Sequence, residues 1–167
     1  FLEDINYASF ALDDNLLINS SFENKQVSLA NAQAHGWTVS GATMQVETAG
    51  GLLSDNAAFQ NEDGSYVDQE HAHLTLSQAG ATLSNSGHSY VPMAVEEGVG
   101  YTFSAFIRGY TGTITLEVTD GTAVYAAGEI SPSGGDWVKY QTTLTATGSA
   151  SSGLYFRMTF EGTGDAY

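Results

Sequence analysis

Apolar and polar residues alternate with a period of two along the second half of the chain. Between residues 101 and 110, Tyr101, Phe103, Ala105 and Ile107 fall on one side, and Thr102, Ser104, Phe106, Arg108 and Tyr110 on the other. Ile114, Leu116 and Val118 alternate with Thr113, Thr115, Glu117 and Thr119, after which Asp120-Gly121 supplies a turn signal. Val138, Tyr140, Thr142 and Leu144 alternate with Trp137, Lys139, Gln141 and Thr143. Leu154, Phe156, Met158 and Phe160 alternate with Tyr155, Arg157, Thr159 and Glu161. Successive side chains of an extended strand point to opposite faces, so each segment predicts a strand with one face in a core and the other in water.

Shorter apolar stretches at 16–18, 37–39, 44–47, 57–60, 73–76 and 93–95 predict further strands, and Gly, Ser, Asn and Asp punctuate the gaps. Helical periodicity is weak and confined to 27–34 and 68–73. About ten short strands at this spacing imply an all-β protein, a two-sheet antiparallel β-sandwich of jelly-roll type. No repeat, low-complexity tract or long linker interrupts it.

Composition narrows the picture. A chain of 167 residues with 42% apolar residues supports one domain with its own core. Charged residues are only 14%, so the polar surface is made mostly of Ser, Thr, Asn, Gln and Gly. Four Lys or Arg face 19 Asp or Glu, a net charge of −15 that repels nucleic acid and anionic membrane surfaces and excludes both as partners. The acidic pairs Asp13-Asp14, Glu62-Asp63 and Glu96-Glu97 read as loop decoration. Without cysteine there is neither a disulfide nor a thiolate metal site. No window approaches 18 consecutive apolar residues, and no basic region leads into an apolar core at the N-terminus. A start at Phe1 carries the expectation of a removed signal or of an internal position in a longer protein.

Phe1-Leu2-Glu3-Asp4-Ile5-Asn6, followed by Asn19-Ser20-Ser21-Phe22-Glu23, resembles the first barrel strand and following loop of family 51 glycoside hydrolases, the α-L-arabinofuranosidases. Later landmarks are Asn15 to Asn19, Gly36-Trp37, His73 to Leu76, Gly100 to Arg108 and Asp136 to Tyr140. In that order they are similar to carbohydrate-binding modules of the family 4, 9, 16 and 22 type. Tyr90 to Val95 before Gly98 resembles the stretch in the module inserted in the arabinofuranosidases. The resemblance implies a remnant of the first barrel strand, or an N-terminal arm, over 1–12 and a carbohydrate-binding-module-like sandwich over 13–167. It further implies a bacterial, secreted, extracellular protein that accompanies the catalytic barrel of a parent enzyme. Glu3 corresponds to a carboxylate that lines the sugar pocket of the full enzyme. The acid/base and nucleophile glutamates of the family lie in barrel segments missing from this chain, so no catalytic residue is assigned and the chain as it stands is not an enzyme. Retaining hydrolysis needs two carboxyl groups about 5 to 5.5 Å apart across the scissile bond. The resemblance also implies one structural Ca²⁺ between an early loop and the last strand, with Glu23 and Asp165 at the matching positions. A closing strand with an Asp usually follows in such modules, whereas this chain stops at Gly164-Asp165-Ala166-Tyr167.

A neutral polysaccharide or oligosaccharide presents apolar CH patches ringed by hydroxyls, and its site needs an aromatic platform with planar polar groups. The outward registers supply Phe106, Arg108 and Tyr110, then Glu117, Gln141, Tyr155 and Arg157, with Lys139 beside them. These are the candidate carbohydrate-binding residues. The competing reading is cross-strand pairing of Arg108 and Arg157 with Glu117 and Glu161. Trp37 and Trp137 join the candidates, although an indole at a strand start commonly wedges the edge of a core. Tyr66, Tyr90 and Tyr125 stand near loops as rim aromatics. His71 and His73, two residues apart, share one face of a strand beside Glu70; a zinc site there is the weaker reading and partly buried packing of His73 the stronger. No Gly-x-Ser-x-Gly elbow or phosphate-binding loop is present. Three functions are compatible with these features. They are a glycan-binding module for arabinoxylan or arabinan, a structural insertion shaping an enzyme's cleft, and a sandwich that assembles with copies of itself.

Overall fold

The computed structural model describes residues 16–17, 36–48, 70–87 and 92–167. Ten strands run through them: β1 (Trp37–Ser40), β2 (Ala42–Thr48), β3 (Glu70–Leu76), β4 (Ala81–Asn85), β5 (Gly100–Ile107), β6 (Ile114–Thr119), β7 (Val124–Ile130), β8 (Val138–Ala146), β9 (Tyr155–Phe160) and β10 (Gly164–Ala166). They form a seven-stranded sheet ordered β1-β4-β9-β6-β7-β8-β5 and a three-stranded sheet ordered β10-β3-β2. Every pairing is antiparallel. This is the two-sheet sandwich that the alternation predicts.

Most inward registers meet as expected, although Val138 at the start of β8 is 44% exposed. Ile114, Leu116 and Val118 of β6 and Phe156, Met158 and Phe160 of β9 are buried with Met44, Leu74 and Leu76 of the smaller sheet. The larger sheet is strongly curled. Phe103 on β5 and Phe156 on β9 are four strand positions apart, roughly 19 Å in a flat sheet, yet their rings stack at 5.4 Å.

Several short links join the sheets. Gly41, with φ +68, turns the chain from β1 in the larger sheet to β2 in the smaller. At the other side Arg108 and Tyr167 exchange two backbone hydrogen bonds of 3.0 Å, which docks the end of β10 against the end of β5. The outer faces of the two sheets are continuous across this seam.

Several elements depart from the sequence pattern. Residues 70–73, at the end of a weak helical stretch, belong to β3, and 93–95 make only one bridge, from Val95 to Ala150. Strands β4, β7 and β10 were not singled out by alternation. β10 pairs with β3 and sets Asp165 opposite Thr75. Thr119 is outward by parity but buried. At this end of β6 the β7 ladder shifts register, with Tyr125 as the extra residue, and the Thr119 Oγ1 donates to the Ala123 carbonyl at 2.6 Å and accepts from Gly121 N–H at 3.0 Å. The predicted strands at 57–60, the helical stretch at 27–34 and the arm at 1–12 lie outside the described residues.

Candidate functional site

On the outer face of the larger sheet, the β5–β8 register sets Phe106 opposite Lys139, Ser104 opposite Gln141 and Thr102 opposite Thr143. Lys139, Gln141 and Ser104 are exposed, while Phe106 is half-buried because it packs against Trp137. Arg108 follows at the end of β5, with its guanidinium 5.2 Å from the centre of the Tyr167 ring. Phe106, Arg108, Gln141 and Trp137 are thus brought together.

Glu117, Tyr155 and Arg157 form a second group on β6 and β9. Arg157 donates from Nε at 3.0 Å and from Nη2 at 2.7 Å to the same Glu117 oxygen. This is the cross-strand pair of the competing reading, and it engages both side chains with each other. β7 separates the two groups and presents Ala127 and Glu129 outward.

The remaining candidates are corrections. Tyr110 is 2% exposed, because Gly109 at φ +80 reverses the strand parity and sends the next side chain inward. A Cβ on Gly109 would stand 3.2 Å from the Tyr167 ring, so glycine is needed for space as well as for φ. Inside the core, the Tyr110 hydroxyl accepts from Gly162 N–H at 2.9 Å and lies edge-on to Phe160 at 5.3 Å. Trp37, at 5% exposure, belongs to the core, and Trp137, at 9%, is buried apart from it against Phe106 and Tyr167, so neither offers an open platform. Arg108 does not pair with Glu117, which belongs to Arg157. Tyr125 is half-buried and donates its hydroxyl to Asp120 at 3.0 Å. Glu3, Glu23, Tyr66 and Tyr90 lie outside the described residues.

The outer face of the smaller sheet gathers more chemistry. Pairing of β2 with β3 sets Glu47 opposite His71 and Gln45 opposite His73. His73 Nδ1 is 2.7 Å from Glu47 Oε1, and its Nε2 is 3.0 Å from Asp165 Oδ1, which also accepts from Thr75 Oγ1 at 3.1 Å. Burial disfavours the charged imidazole of His73, but the hydrogen bonds to Glu47 and Asp165 outweigh it and raise its pKa. The bonds from His73 and Thr75 in turn hold the Asp165 carboxyl below its ordinary value. Tyr167 stacks on His73 with ring centres 4.2 Å apart. A protonated imidazole between two carboxylates donates to both, which makes this line a clasp between β2, β3 and β10 rather than a proton acceptor.

His71, two residues back on the same face, has the opposite setting. It is 7% exposed, edge-on to Trp137 at 5.5 Å, and burial lowers its pKa despite Glu47 Oε2 at 3.5 Å. Among the described residues no group of three or more His, Cys, Asp or Glu side chains is arranged to hold a metal ion. Asp165 is engaged with His73 and Thr75, and Glu23, the other residue of the calcium expectation, lies outside the described residues. Sequence reasoning marked His71 and His73 by their spacing but missed Glu47, Thr75 and Tyr167, whose roles arise from strand pairing.

No family model and no curated protein matches the sequence. Solved structures do. The arabinose-bound α-L-arabinofuranosidase MgGH51 aligns with a TM-score of 0.66 and 20% identity, over 93% of this chain and 25% of that one. A Stig cyclase of Fischerella sp. TAU, in complex with (3Z)-3-(1-methyl-2-pyrrolidinylidene)-3H-indole, aligns with a TM-score of 0.57 and 17% identity over 90% of both chains. The CBM22-1-GH10 modules of Clostridium thermocellum xylanase 10B, complexed with xylohexaose, give a TM-score of 0.46 and 14% identity over 78% of this chain and 24% of that one. The chain thus spans a quarter of the length of the arabinofuranosidase chain it matches. The likeness is one of fold: a two-sheet β-sandwich, shared with part of the arabinofuranosidase chain and with the cyclase.

Proposed function

We propose that the protein is a noncatalytic glycan-binding module that takes a plant cell-wall polysaccharide, arabinoxylan or arabinan, on the outward face of β5 and β8. The observation that carries this reading is the β5–β8 register, in which Phe106 stands opposite Lys139 and Ser104 opposite Gln141. An aromatic edge, a cation, an amide and a hydroxyl then share one solvent face, the mixture a neutral sugar ring requires. Arg108 continues the row toward the seam. Glu117 and Arg157 contribute less, since each already satisfies the other. An extracellular setting, attached to the catalytic barrel of a parent enzyme, follows from the same reading, and tethering would act by raising local substrate concentration.

Affinity electrophoresis through gels containing arabinoxylan or arabinan tests it. The expected result is retardation of the wild-type chain that falls in Gln141→Ala and Lys139→Ala, both exposed positions. No retardation of the wild type in either gel would end the reading and favour a structural insertion. Concentration-dependent sedimentation would instead select a self-assembling subunit. Purified protein is expected to release nothing from an aryl arabinofuranoside.

A further inference from the structure

We propose that the seam between the two sheets, beside the end of β5, is a binding site for a small monocyclic aromatic molecule carrying one hydrogen-bonding group, of the phenol class. A cavity of about 150 Å³ lies there, between β5, β3 and the end of β10. Its walls include Phe103, Phe106, Trp137 and Tyr167, with Ala105 contributing only a methyl group. A space of this volume accepts a benzene-sized ring. Walls of aromatic side chains favour a flat, polarisable guest, which they meet by stacked or edge-on contacts.

The second observation is His71. It lines the cavity and is 7% exposed, its Nδ1 has no hydrogen-bond partner, and its Nε2 meets only a distant carboxylate. Glu47 Oε2 stays 3.5 Å from Nε2. Buried polar side-chain atoms in folded proteins are nearly always satisfied, so an unmet imidazole on an apolar cavity wall marks the place where a guest's polar group fits. Burial keeps this imidazole neutral, with one nitrogen free to accept from a phenolic hydroxyl. An aliphatic guest, or an anionic one, would leave either the walls or the histidine poorly matched.

This site does not rest on the glycan reading. It lies at the seam between the two sheets and shares Phe106 with the sugar face, but the residues that test it differ.

Titration of the full chain with phenol and with benzene, followed by ligand-observed NMR, tests the assignment. The expected result is saturable binding of both, with phenol favoured about tenfold, the effect of one buried hydrogen bond. His71→Phe is expected to abolish the phenol preference while benzene still binds. Ala105→Leu is expected to fill the cavity and remove both. Crystals soaked in phenol should show the ring beside His71, a readout that stands even where Ala105→Leu fails to fold. Absence of saturable phenol binding, a preference that survives His71→Phe, or a ring located elsewhere in soaked crystals would overturn the proposal.

Discussion

The two sheets carry very different outer faces. The larger one spreads Thr and Ser over most of its outward positions and holds the ion pair of Arg157 with Glu117. The smaller one, with three strands, concentrates His71, His73, Glu47, Asp165 and Tyr167. The difference follows from what each face must do. A broad sheet already paired along most of its length needs no further fastening, and a hydroxyl-rich face suits a neutral partner. The short β10 is held by only three register pairs, and side-chain bonds from β3 fasten it in place.

The sharpest test of the contrast between inner and outer positions is Tyr110. Tyr110→Ala is expected to lower stability by about 3 to 5 kcal/mol in urea unfolding, the cost of emptying an aromatic site in a core. Tyr110→Phe is expected to cost about 1 to 3 kcal/mol, since it orphans the Gly162 N–H. A surface tyrosine would show neither effect.

Arg157→Ala probes the larger sheet. Its partner Glu117 is only 18% exposed, so a loss of about 1 to 2 kcal/mol is expected, between the values for exposed and buried pairs. A loss indistinguishable from zero would class the pair as surface decoration.

His73→Gln probes the smaller sheet through pH. The folded pKa of His73 is raised, so its contribution is fully present below the unfolded value near 6.5 and is lost as pH rises through the folded value. The Asp165 pKa is lowered, so its part holds above 3.8 and is lost as pH falls through the lowered value. Between these limits the variant is expected to be less stable than the wild type by up to about 1 kcal/mol. The gap should close at alkaline pH. His71 works in reverse, since its lowered pKa makes acidification below 6.5 destabilising, but it is present in both proteins and largely cancels. Glu47, which faces both histidines, and Arg108 and Tyr167 beside them are likewise unchanged.

The smallest expected effect on stability belongs to Gln141→Ala, within about 0.5 kcal/mol of wild type by thermal unfolding. Its consequence should appear only in glycan retardation. An equal loss in both measurements would assign Gln141 to the fold instead.

Legibility varied in a physically consistent way. The β5, β6, β8 and β9 patterns were plain because one face of each is buried and the other wet, and a period of two records that directly. β7 was hidden because Ala126, Ala127, Gly128 and Glu129 give a weak contrast, although its inward residues are as buried as any. β10 was hidden by its brevity. The candidate surface was read with the right parity for Phe106, Gln141, Glu117 and Arg157. It failed at Tyr110, since one left-handed glycine shifts parity by a step that alternation alone does not register.

Local pattern was therefore enough to decide that the chain is all-β and which side of most strands enters the core, because burial on one face leaves its mark residue by residue. Which outward residues meet was decided only on folding. Glu47 and Asp165 reach His73 from 26 and 92 positions away through two strand pairings. Curling of the larger sheet brings Phe103 to Phe156, and the Arg108–Tyr167 seam joins two faces into one. Such contacts depend on strand order and sheet curvature, which no window of neighbouring residues encodes.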